Sequence, residues 1–245
     1  MLSFLPAIAP FRNELLLLAS VPFLFGGLIA FFRFFGKQGL FAWTVVCTIA
    51  ANIEVMILVH AFGTDTTLGN VIFASTFLAT DIASELYGRR EAGRCVRIGI
   101  AANIAYIAIS QTWFLYVPAP DDAMAGPIRQ VFSNTPRVMF ASLAAYVVCE
   151  LHDVWAYHFL WSLTKRRTGS HRAFLWLRNN GSTLVSQLIN VIAFNLLAFH
   201  GVWPREVLMQ VIVQGYATFV VTSLLDTPFL YLARHLADKH PELLK

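Results

Sequence analysis

Charge is scarce in this chain. Only 13% of its 245 residues are Asp, Glu, Lys or Arg, against about 25% in a typical soluble domain, while 57% are hydrophobic. A water-soluble domain has no use for so much apolar surface. Cysteine is also rare: Cys47, Cys95 and Cys149 lie in or beside apolar blocks without C-x-x-C spacing, which excludes a disulfide framework or a zinc knuckle and points to packing. There is no G-x-x-x-x-G-K-[ST] run, hence no ATPase within the chain. H-E-x-x-H and G-x-S-x-G are missing as well. His152, Asp153 and His158 are metal-ligand types, but three such residues on one helix do not converge on one ion. No catalytic residue, metal ligand or cofactor is therefore assigned. The net charge of +4 comes from short segments between apolar blocks, not from a basic stripe, so direct nucleic-acid binding is not expected. The first apolar block is too long for a signal-peptide h-region and lacks a small-residue cleavage site, so it is expected to be retained.

What is abundant is long apolar sequence. Blocks such as Glu14 to Phe35, Leu40 to Phe62 and Val138 to Leu163 match or exceed the ~20 residues that cross a bilayer as helix. Cutting at polar clusters predicts an all-α integral membrane protein, one transmembrane domain over 1–245, with spans near 14–35, 40–61, 69–87, 95–117, 138–163, 182–202 and 207–233. Gly36-Lys37-Gln38-Gly39 permits only a tight helical hairpin. Pro118 to Pro136, with four prolines, cannot lie in lipid as irregular backbone and is expected in water. Of the 18 Lys and Arg residues, all but Arg12, Arg129, Arg137 and Arg205 fall in alternate loops on one side. The positive-inside rule makes that side cytoplasmic. Seven spans then place the C-terminus inside and the N-terminus outside; a six-span version treats the first block as an interfacial helix.

Ionisable groups inside spans are costly, so each is a functional-site hypothesis. Glu54, Asp81, Glu85, Glu150, Asp153 and Asp226 qualify, and Asn52, Asn103, Gln187, Asn190 and Asn195 add neutral polar groups. Asp81 and Glu85 are i, i+4, whereas Glu150 with Asp153 and Gln187 with Asn190 are i, i+3, so each pair shares a helix face. By helical rise, Asn52, Glu150, Gln187 and Asn190 lie within about 10 Å of their span centres. Other roles stay open: Asp81 and Glu85 precede Arg89 and Arg90 and can pair with them, Asp226 can act as a local acceptor before Pro228, and Gln187 and Asn190 can join helices. Trp113, Tyr116, Trp161, Trp176 and Trp203 are expected as interfacial belt residues. Phe77, Trp155, Tyr157 and Phe194 lie deeper, where rings beside carboxylates and amides suit a flat heteroaromatic solute; core packing is the alternative role for each.

Three segments bear a resemblance to a known family. Phe77-Leu78-Ala79-Thr80-Asp81-Ile82-Ala83-Ser84-Glu85-Leu86-Tyr87-Gly88, then Glu150-Leu151-His152-Asp153-Val154, then Leu175-Trp176-Leu177-Arg178-Asn179-Asn180-Gly181-Ser182-Thr183 with Ser186-Gln187-Leu188-Ile189 resemble the queuosine-precursor transporter (VUT) family. Asn52-Ile53 and Asp226-Thr227-Pro228 match more weakly. One departure stands out: Asn190-Val191 occupies a place where the family usually has Asp-Thr. The resemblance implies import across the inner membrane of 7-deazaguanine precursors of queuosine, namely preQ0, preQ1 or queuine. It also implies a compact bundle of six to seven helices, resembling the substrate-binding subunits of energy-coupling-factor importers. Partners so implied, beyond the lipid bilayer, are a homodimer or an energy-coupling ATPase module. The substrate-binding set is expected to be Asn52, Phe77, Asp81, Glu85, Glu150, Asp153, Trp155, Gln187, Asn190 and Phe194: carboxylates and amides for a deazaguanine's N–H and carbonyl edge, rings for its faces. A carrier of another purine-like or vitamin-like solute, or an intramembrane enzyme, is the alternative function.

Overall fold

The computed structural model describes residues 11–132 and 136–244; residues 133–135 of the Pro118–Pro136 loop and Lys245 lie outside them. Seven α-helices account for most of the described residues: α1 (Arg12–Glu54), α2 (Gly69–Tyr87), α3 (Arg89–Thr112), α4 (Ala125–Phe132), α5 (Pro136–Thr168), α6 (Leu175–Phe199) and α7 (Arg205–Lys239). Five of them are long and apolar enough to cross a membrane.

The first of these is two helices. Forty-three residues of straight α-helix would run about 65 Å, twice the hydrocarbon thickness. Instead the backbone leaves helical geometry at Gly36, with φ 55° and ψ −136°, a region open to glycine alone. The chain reverses there. The Phe31 and Trp43 rings lie 5.1 Å apart, although twelve residues of straight helix would separate them by about 18 Å. The arm over 12–35 is no loose surface helix, because Val21, Phe25, Leu28 and Phe32 are buried and Phe25 meets Phe229 of α7 edge-on at 5.4 Å.

The second apolar block departs from expectation. Its helix stops at Glu54, and Leu58–Ala61 (β1) pairs with Thr64–Thr67 (β2) in an antiparallel hairpin. Phe62 and Gly63 carry φ of 53° and 73°, the positive values of a two-residue hairpin turn whose twist matches the strands. Glu14 accepts from the Phe62 amide at 3.0 Å, and Asn13 donates to the His60 carbonyl at 2.9 Å, so the hairpin closes over the start of α1. The expected Pro118–Pro136 loop likewise contains α4.

α2 holds the centre of the bundle. Fourteen of its 19 residues are buried, and it packs against α1, α3, α5 and α7. It falls outside the five strongly apolar helices because Ser75, Thr76, Thr80, Asp81, Ser84 and Glu85 dilute its aliphatic residues. A helix wrapped by protein needs no lipid-compatible surface. The turn at Gly36, the α2–α3 junction, the α5–α6 loop and the C-terminal segment gather at one end. Lys37 pairs with Glu91 at 3.2 Å there, Arg172 with Asp238 at 2.6 Å, and the Tyr87 hydroxyl donates to the Leu243 carbonyl. The β-hairpin and the α6–α7 turn lie at the other end, where Arg137 donates to the carbonyls of Leu197 and His200, each at 2.7 Å.

Candidate functional site

Helical phase builds the site. On α2, Thr76, Thr80, Asp81 and Ser84 recur at three- and four-residue intervals, as do Glu150, Asp153 and Tyr157 on α5 and Asn179, Thr183, Ser186, Gln187 and Asn190 on α6; these spacings put each set on one face. The faces meet in the bundle interior, and all of these side chains are buried. Mid-bundle, Glu150 accepts from Thr76 at 2.8 Å and Thr80 at 3.3 Å. Thr183 donates to Asp81 at 3.1 Å, and Asp81 adjoins Asp153. From α7, Asp226 accepts from Asn179 at 2.7 Å, while Thr227 accepts from Asn180 at 2.7 Å.

Several acceptors here have no aligned donor. Both carboxylate oxygens of Asp153, Asp81 Oδ1, Asn179 Oδ1 and Gln187 Oε1 are buried and lack a well-aligned hydrogen bond, although the two carboxylates adjoin each other and the Ser182, Ser186 and Thr183 hydroxyls lie against Asp153. Buried polar groups are otherwise almost always paired, so these acceptors on α2, α5 and α6 have capacity left for further donors. Phe77, one turn before Asp81 on α2, belongs to an aromatic group: Phe73 lies 5.5 Å from Phe77, 6.0 Å from Tyr146 and 6.2 Å from Phe219, all edge-on. Two surface concavities, of about 540 and 340 Å³, are lined by Arg90, Arg94 and Arg97 and by the Gly36 turn respectively, and neither includes the buried acceptors.

Of the expected site residues, Asp81, Glu150, Asp153, Gln187 and Asn190 come together, with Phe77 of the aromatic group one turn from Asp81. Asn190 sits one turn beyond Gln187, with its carbonyl oxygen 3.7 Å from Cys149 Sγ. Four others lie apart. Glu85 pairs with neither Arg89 nor Arg90: Arg178 grips both of its oxygens at 2.7 Å, Tyr157 donates to it at 2.8 Å, and Arg234 adds a contact at 3.4 Å. Asn52 donates to Asn103 of α3 at 3.3 Å, in a separate seam. Trp155 is half exposed and stacks on Phe159 at 5.5 Å, on the outer face of α5. Phe194 meets Phe199 at 5.8 Å, toward the α6–α7 turn. Trp161 is also more than a belt residue, since the Arg178 guanidinium lies 4.6 Å above its ring. Asp226 is an interhelical acceptor, not merely a local one.

Sequence reasoning missed Arg178, Asn179, Phe73, Tyr146 and Phe219. The signal at Arg178 points the wrong way, because the residue follows a basic loop and groups with that loop's charges. Asn179 is legible by phase, lying four residues before Thr183.

Five helices long and apolar enough to cross a membrane, packed around a polar interior contributed by several of them, make this a multi-pass membrane protein. Residues 67–233 match the family described as "Putative vitamin uptake transporter". The chain is also 36% identical over 206 residues, 84% of its own length and 88% of the relative's, to a Bacillus subtilis (strain 168) protein named "Probable queuosine precursor transporter". No solved structure matches. The chain belongs to this vitamin uptake transporter family.

Proposed function

We propose that the chain imports 7-deazaguanine precursors of queuosine (preQ0, preQ1 or queuine) across the inner membrane, with its C-terminus in the cytoplasm. The observation that carries this reading is the set of buried acceptors on Asp81, Asp153 and Gln187 with capacity to spare, together with the aromatic group that begins at Phe77 one turn from Asp81. A deazaguanine presents N1–H and an exocyclic N–H₂ along one edge. Glu150 spends two of its roughly four acceptor positions on Thr76 and Thr80 and keeps the others for such donors. Gln187, an amide with an unpartnered carbonyl, supplies an acceptor for the same edge and a donor for the ligand's O6. The flat bicycle matches the aromatic group by its faces. The printed name of the Bacillus subtilis relative supports the same substrate class.

Growth rescue tests it. Cells unable to synthesise preQ0 are grown with nanomolar precursor, with and without the chain, and their tRNA is assayed for queuosine. Queuosine that appears only with the chain expressed is the expected result. Modification independent of the chain at every dose would sink the proposal.

A further inference from the structure

Hydrogen-bonding capacity in the middle of the bundle is one-sided. Asp81, Glu150, Asp153 and Asp226 bring carboxylates from α2, α5 and α7 into one buried region, and among the described residues none of them forms an ion pair with Lys or Arg. The one wholly buried cation among those residues, Arg178, is committed elsewhere: to Glu85, to the Ala173 carbonyl at 2.8 Å and to the Trp161 ring. The nearby hydroxyls are spent as well. Ser182 donates to the Asn179 carbonyl at 3.2 Å and Ser186 to the Ser182 carbonyl at 2.9 Å; with Thr183 their hydroxyls lie against Asp153, but none makes a well-aligned hydrogen bond to it, and among the described residues both of its oxygens and Asp81 Oδ1 have no cationic partner. His152, the nearest imidazole on α5, faces Ser186 at 2.9 Å.

A region of this kind, rich in carboxylate oxygens and free of uncommitted cations, is complementary to a positively charged donor. We propose that the adjoining Asp81 and Asp153 carboxylates form a subsite for a cationic amine on the ligand, so that the chain selects ammonium-bearing deazaguanines over the nitrile-bearing one. The inference rests on the deazaguanine reading above. All three precursors share the same N–H-bearing pyrimidine edge, so Glu150 and Gln187 cannot tell them apart. The substituent at C7 decides. In preQ1 it is an aminomethyl group, protonated at neutral pH, with three N–H donors and a positive charge; queuine carries a protonated secondary amine at the same position. In preQ0 it is a nitrile, whose nitrogen only accepts and brings no positive charge to the carboxylates of Asp81 and Asp153. Seating preQ0 leaves the carboxylates without a counter-charge, whereas seating preQ1 supplies one.

The test is equilibrium binding of preQ1 and preQ0 to the purified full chain in lipid nanodiscs. Charge-assisted hydrogen bonds predict preQ1 tighter by roughly tenfold or more. Asp153→Asn removes the charge at nearly constant volume and should collapse the preQ1-to-preQ0 affinity ratio toward one, with Asp81→Asn as the parallel variant should the first fail to fold. The wild-type ratio decides without either variant. Equal affinities, or tighter preQ0, overturn the amine subsite while leaving deazaguanine import intact. Failure of folded wild-type protein to bind either ligand overturns both. A full preQ1 preference retained in folded Asp153→Asn and Asp81→Asn overturns the assignment to this pair of residues.

Discussion

Asp81 and Glu85 stand one turn apart on α2, and the same spacing that put them on one face gives them opposite employment. Glu85 is paired on both oxygens by a guanidinium that is wholly buried; Asp81 receives one hydroxyl and keeps a free oxygen. Breaking a buried ion pair by removing one partner strands the other, which costs about 3–5 kcal/mol, whereas replacing both with apolar groups of similar volume is often neutral. Arg178→Met leaves Glu85 only the Tyr157 hydroxyl and the longer Arg234 contact and should therefore lower the melting temperature, and Glu85→Leu with Arg178→Met should recover part of the loss. Thermal unfolding in detergent checks both; a single Arg178→Met variant as stable as wild type would show that the pair is not structural. Trp155 illustrates what residue-level reasoning had within reach. It lies two positions after Asp153, about 200° around the helix, so the phase that gathers Glu150, Asp153 and Tyr157 inward sends Trp155 outward. Arg178 was harder to place, because 93 residues separate it from Glu85 and nothing local distinguishes a cation that turns inward from its neighbours in a cytoplasmic loop.

At the scale of elements, apolar periodicity located the helices but not where they hand over to other structure. The run through Phe62 is hydrophobic enough to continue α1, yet His60 and Asp65 face each other across β1 and β2 with side chains 2.9 Å apart, a pairing set by the turn at Phe62 and Gly63. The Gly36 reversal was legible, since Gly36-Lys37-Gln38-Gly39 is a polar break between two apolar blocks that are each long enough to span. It yields a specific expectation. An added Cβ at Gly36 must adopt a conformation that costs of order 1–3 kcal/mol for an L-residue, and it would stand 3.3 Å from the Leu243 carbonyl. Gly26, within the same arm and with open space for 4 Å around an added methyl, is the control, where alanine should be neutral or stabilising by about 0.5–1 kcal/mol. Gly36→Ala is expected to lower the melting temperature and Gly26→Ala is not; equal behaviour of the two would mean that the reversal tolerates a side chain.

For the whole molecule, orientation follows from where the cations gather. Successive helices alternate in direction, so the Gly36 turn, the α2–α3 junction, the α5–α6 loop and the C-terminal segment share one end, joined by Lys37–Glu91, Arg172–Asp238 and Arg234–Glu85. That end carries Arg89, Arg90, Arg94, Lys165, Arg166 and Arg167, whereas the end with the β-hairpin and α4 has few cations. An excess of this size in short loops predicts that the basic end lies in the cytoplasm. Single cysteines introduced at Asp65 in the hairpin or Asp121 before α4, both exposed, should then react with an impermeant thiol reagent added to intact spheroplasts. Cysteines at Arg167 or Arg172, exposed at the basic end, should react only after the membrane is opened. The native thiols of Cys47, Cys95 and Cys149 are all buried, so background labelling should be low without removing them. The reverse pattern would invert the protein in the membrane; labelling of all four positions from the same side would mean that the chain does not cross between them, and the transmembrane arrangement of α2 through α5 would have to be redrawn.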